Sequence, residues 1–114
     1  MALPLTPALL EATYEFLRRT PPFHKWNLPP GEVVTFKVTR NAHVQGDHLL
    51  VKGKHTIRAS SKKTGNTHNL IELMAHEMVH AKCDLEGVRA EHGAEFKRAA
   101  RAVCKAHGFD EKNF

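Results

Sequence analysis

The stretch His76-Glu77-Met78-Val79-His80 sets two histidines four residues apart, with a glutamate next to the first. On a helix that spacing puts both imidazoles on one face, about 5 to 6 Å apart at Cβ. Two ring nitrogens can then share one zinc ion at about 2 Å, and Glu77 stands where a general base for a zinc-activated water would be needed. At about 100° per residue, His80 falls about 40° from His76, whereas Leu70, Ile71, Met74, Met78, Val79 and Leu85 spread over an arc from about 120° to 300°. The aliphatic arc fills a core by itself, so the histidines are not needed there as satisfied core residues.

A catalytic zinc site keeps three protein ligands and leaves the fourth position to water. Downstream, a helix expected from Gly93 to His107 and ended by Gly108 carries Phe96, Ala99, Ala100, Val103 and Ala106 on one stripe, with Lys97, Arg98, Arg101 and Lys105 opposite. His92 lies within the stripe and is the expected third ligand. Glu91 and Glu95 are carboxylate alternatives, and Cys83 is a soft one whose plainer reading is an inert buried thiol. His107 shares the stripe, but the helix between it and His92 would span roughly 22 Å, too far for one ion.

Working outward, Asn69 with Glu72 three residues on fits a capping pattern for the His76 helix, which is expected to run to about Leu85 with Gly87 as its stop. Upstream, β-branched and aromatic residues mark strands at Val33 to Arg40, His48 to Val51 and His55 to Ser60, with turns at Gly46-Asp47 and Gly53-Lys54. Ser61 to Asn66 reads as a polar loop. Thr6 and Pro7 fit the N-cap and first position of a helix over Ala8 to Arg19, halted by Pro21 and Pro22. Pro21 to Gly31 is an extended connector whose Phe23 and Trp26 are expected to pack on the body of the domain or to form a flap. The expected fold is α+β: an N-terminal helix, a small three-stranded, mainly antiparallel sheet, the active-site helix and a C-terminal helix.

The 114 residues are the length of one domain, 1–114, and 41% hydrophobic with 25% charged residues is ordinary globular composition. Nine histidines are many for such a chain, which agrees with a metal role. Cys83 and Cys104 are too few for a zinc ribbon or a disulfide framework, and the first ten residues lack a basic signal region, so a cytoplasmic, membrane-free monomer is expected. A net charge of +5 favours anionic partners. Lys52, Lys54, Arg58, Lys62 and Lys63 form one basic group that could meet nucleic acid; a solvated surface is its plainer reading.

Thr56-Ile57-Arg58-Ala59-Ser60, then Leu70 to His80 with the run His-Glu-Met-Val-His-Ala, then His92-Gly93-Ala94-Glu95-Phe96, follow one another as in the SprT-like metallopeptidase domain, which this chain resembles over roughly residues 33 to 107. That resemblance implies a compact zincin-like fold, one Zn2+ per chain on His76, His80 and His92, and Glu77 as the catalytic residue. For Spartan-type members it also implies DNA-stimulated cleavage of proteins crosslinked to DNA. By analogy with zincins, His55, Thr56, Ile57 and Arg58 would belong to the edge strand that pairs with an extended protein or peptide substrate. Many members carry a four-cysteine ribbon that this sequence lacks, which leaves DNA dependence open. The expected function is a zinc endopeptidase. The competing class is a zinc-containing nucleic-acid-binding module without peptidase activity, against which the presence of Glu77 argues.

Overall fold

The computed structural model describes residues 5–88 and 91–114. Helix α1 (Pro7–Arg18) opens as its sequence requires: the Thr6 hydroxyl accepts from the Leu9 amide at 3.1 Å, and Pro7 takes the first helical position, where its missing N–H costs nothing. The connector that follows packs on the body of the fold through buried Phe23 and Leu28 and half-buried Trp26. Tyr14 ties it down, donating to the Pro29 carbonyl at 2.5 Å.

Strands β1 (Thr35–Thr39), β2 (Gly46–Val51) and β3 (Lys54–Ser60) make one sheet in the order β1-β3-β2. β2 and β3 are an antiparallel hairpin closed by Lys52 and Gly53, both at positive φ (52° and 78°), the two-residue turn whose twist suits a hairpin. β1 pairs with β3 in parallel, Thr35 opposite Thr56, so the sheet is mixed where mainly antiparallel pairing was expected. A second correction follows from the strand order. The His55 to Arg58 segment, expected at an edge, lies in the central strand, with Ile57 and His55 buried; β2 is the edge strand on that side.

Helix α2 (Thr67–Leu85) lies against the sheet, with α1 and α3 (Ala94–His107) packed on it. Its N-cap is Asn66, whose side chain accepts from the Asn69 amide at 2.9 Å, so Asn69 is in the first turn rather than at the cap. Leu70, Leu73, Met74, Met78 and Val79 bury the apolar arc together with Leu10, Leu17, Ile57, Phe96 and Val103. At roughly 1.5–3 kcal/mol per large side chain, this interior is the main term holding the sheet to the helices. α2 is therefore fixed on most of its circumference, and the strip carrying His76, His80 and Asp84 at successive i, i+4 positions is its open side. No described helix is long and apolar enough to cross a membrane.

Candidate metal centre

His76 and His80 project from α2 as their spacing demands, and His92 meets them from the turn before α3. Their Nε2 atoms form a triangle with sides of 3.2 Å (76 to 80), 3.1 Å (80 to 92) and 3.4 Å (76 to 92). His92 is not part of the last helix. It precedes the cap residue Gly93 and sits at φ 59°, a left-handed conformation costly for a side chain of its size. That backbone turn swings the imidazole over α2. Phe96, in the first turn of α3, caps the group from one side, its ring centroid 5.1, 4.6 and 4.8 Å from those of His76, His80 and His92.

His76 Nδ1 lies 2.7 Å from the Phe114 carbonyl oxygen. A carbonyl only accepts, so Nδ1 carries the proton and the Nε2 lone pair points into the triangle. Burial first, then the neighbouring imidazoles, lower the pKa of His76 and of His80 to about 4. Both rings are therefore neutral at pH 7, the form in which histidine binds metal. The three nitrogens are a group able to hold a metal ion. Cys83 and the carboxylates of Glu91 and Glu95 are outside it; burial pushes the Cys83 thiol upward, away from the thiolate a metal needs.

Glu77 is 3% exposed, and its Oε1 has no hydrogen-bond partner among the described residues. Burial, with Asp47 and Glu91 adding repulsion, pushes its carboxyl up to about 8. An unpartnered buried carboxylate costs several kcal/mol unless a positive charge or a proton meets it. Glu77 shares a cavity of about 420 Å³ with the three histidines, walled on the other side by Gly46 to Leu50 of β2. Gly46 is needed for this closeness: a Cβ there would lie 2.5 Å from the Arg58 carbonyl oxygen and 3.0 Å from Leu73.

One contact beside this cavity gave no sequence signal. His48 Nε2 is 2.8 Å from His55 Nδ1, and His48 Nδ1 is 2.9 Å from Asp84 Oδ2, obliquely for a hydrogen bond but close for a charge contact. The chain of three fastens β2 to α2. His48 stands opposite Ile57, so His55 is its diagonal neighbour on one sheet face, a relation that strand register creates. His107, weighed from the sequence, lies elsewhere and meets Thr20 and the Pro21 carbonyl; Tyr14 is buried against Pro29, and His68 is exposed beside Glu72. In the basic group, Lys52, Lys54, Lys62 and Lys63 are exposed, and Arg58 is bonded to Asp47 through Nε at 2.7 Å.

Comparison with family models matches residues 13–113 to the SprT-like family. The chain belongs to the SprT-like family. Membership marks it as a metallopeptidase-like domain, and the matched span includes His76, Glu77, His80, His92 and the β2 residues that wall the cavity. Comparison with curated proteins finds no match.

Proposed function

We propose that this chain is a zinc-dependent endopeptidase with His76, His80 and His92 as the ligands of one Zn2+ and Glu77 as general base. The observation that carries the reading is the nitrogen triangle with a buried, unpartnered carboxylate beside it. A tetrahedral zinc with Zn–N of about 2.0–2.1 Å sets ligand edges of about 3.3–3.4 Å, and the three Nε2 separations are 3.1–3.4 Å. Three imidazoles are also the donor set that suits zinc.

When bound, zinc supplies a Lewis acid that polarises a peptide carbonyl and lowers the pKa of water. Glu77 takes a proton from the attacking water and returns it to the departing amine, so one water is consumed and one carboxyl and one amine form. β2 is the edge strand of the cleft, and its free side offers backbone groups to an extended peptide, which would place a peptide bond over the histidines. Substrate binding is thus assigned to Gly46–Val51 rather than to His55–Arg58.

DNA enters as a partner through exposed Lys52, Lys54, Lys62 and Lys63, the first on the β2–β3 turn, the second at the start of β3 and the last two on the loop before α2. Loss of affinity for single-stranded DNA with rising salt, flattened by Lys→Gln changes at these four positions, tests that role. The peptidase reading is tested by mass spectrometry of products from a loosely folded protein: internal cuts, each adding one water, support it, and intact substrate under zinc-loaded conditions rejects it.

A further inference from the structure

The segment after α3 is pinned to the molecule at several points. The Asp110 carboxylate accepts from the Lys112 amide at 3.0 Å and from Asn113 Nδ2 at 3.1 Å, and the Asn113 amide donates to the Asp110 carbonyl at 3.0 Å. Arg101 of α3 holds Glu111 at 3.2 Å. The Phe114 ring stacks on Phe109 at 5.9 Å and 18°, and its centroid is 5.3 Å from that of His76. These contacts deliver one polar atom to the site: the Phe114 carbonyl oxygen, 2.7 Å from His76 Nδ1. Among the described residues, His76 is the one member of the triad whose second ring nitrogen has a hydrogen-bond partner.

We infer that Asp110–Phe114 is a positioning element of the metal centre, whose backbone carbonyl at Phe114 fixes the tautomer and ring angle of His76. The inference rests on the three histidines being metal ligands. A ligating imidazole that donates its other N–H to a carbonyl is held in the binding tautomer and is made more basic toward the metal; losing such a partner costs about 10- to 100-fold in metal affinity. No helix or strand supplies the partner here. The sequence signal Phe109-Asp110-Glu111-Lys112-Asn113-Phe114 becomes a turn that brings a main-chain oxygen across 38 positions to a residue in the middle of α2.

Zinc affinity, read by competition with a chromophoric chelator, is compared between the full chain and the chain lacking Asn113 and Phe114, with thermal melts of both metal-free forms. The expected result is a loss of about 10- to 100-fold in the deleted chain, with a metal-free melt that stays cooperative and falls only modestly, because Asn113 is exposed and Phe114 is half-buried at the margin of the core. Affinities equal within about twofold overturn the inference. A second measurement covers a deletion that fails to fold. In the zinc-loaded full chain, long-range nitrogen–proton NMR should show His76 protonated at Nδ1 with slow solvent exchange; a fast-exchanging or absent Nδ1 proton overturns the inference without any variant. A full chain that binds no zinc at all rejects the three-histidine reading as well, a failure distinct from equal affinities.

Discussion

Glu77→Gln should make the metal-free protein more stable, by an amount that grows with pH. The folded carboxyl is raised to about 8 by burial, against 4.5 for the free group. A raised folded pKa means the native state binds the proton more tightly than the unfolded chain, so the Glu77 contribution is fully present below about 4.5 and is lost as pH climbs through about 8. At about 1.36 kcal/mol per pKa unit, the penalty is under about 1 kcal/mol at pH 5, about 3 at pH 7 and about 5 at pH 9. Glutamine stays neutral at every pH and avoids the charge term, while its buried amide adds an offset that does not vary with pH. Urea unfolding of chelator-treated wild type and Glu77→Gln at pH 5, 7 and 9 measures it. The stability gap should widen by about 4 kcal/mol from pH 5 to pH 9. A gap that is flat across this range refutes the claim that Glu77 is a desolvated, unpartnered acid.

The acid limb of metal-free stability has the opposite sign: His76 and His80, lowered to about 4, contribute stability above about 6.5 that is lost as pH falls through 4, and a His76→Ala, His80→Ala chain should show a shallower acid slope in urea melts. Phe96→Ala removes the ring that touches all three histidines and opens a void between α2 and α3, so it should cost about 3–5 kcal/mol by denaturation and weaken zinc binding in the same chelator competition. Gly46→Ala forces β2 off the Arg58 carbonyl, with an expected loss of about 1–3 kcal/mol and a fall in kcat/KM on protein substrates, since the wall of the cleft moves.

What could be read from the sequence follows from how local each signal is. His76, Glu77 and His80 are fixed by helical spacing alone, and the Thr6–Pro7 helix start and the Gly108 stop are carried by neighbours within one turn. Asn66 displaced Asn69 as the α2 cap because an asparagine with a glutamate three residues on also fits inside a first helical turn, and only backbone geometry separates the two placements. The β1–β3 parallel pairing and the central place of β3 depend on strand order, which no residue of β3 records; its alternation of buried His55, Ile57 and Ala59 fits an edge or a centre equally. His92 was legible as a candidate ligand by its apolar stripe, and it meets His76 and His80 from a left-handed turn ahead of the helix. The His48–His55–Asp84 contact and the Phe114 carbonyl were hidden because one arises from strand register and the other from a main-chain atom.

The most direct test of the account is cleavage of a loosely folded protein by the zinc-loaded chain beside zinc-loaded Glu77→Gln, with zinc content measured in both. The account predicts internal cleavage by the wild-type chain, its loss in the Gln variant, and one zinc retained per chain in each. Equal cleavage by both proteins, or no cleavage by a wild-type chain that holds its zinc, would contradict the assignment of Glu77 as the base of a working peptidase.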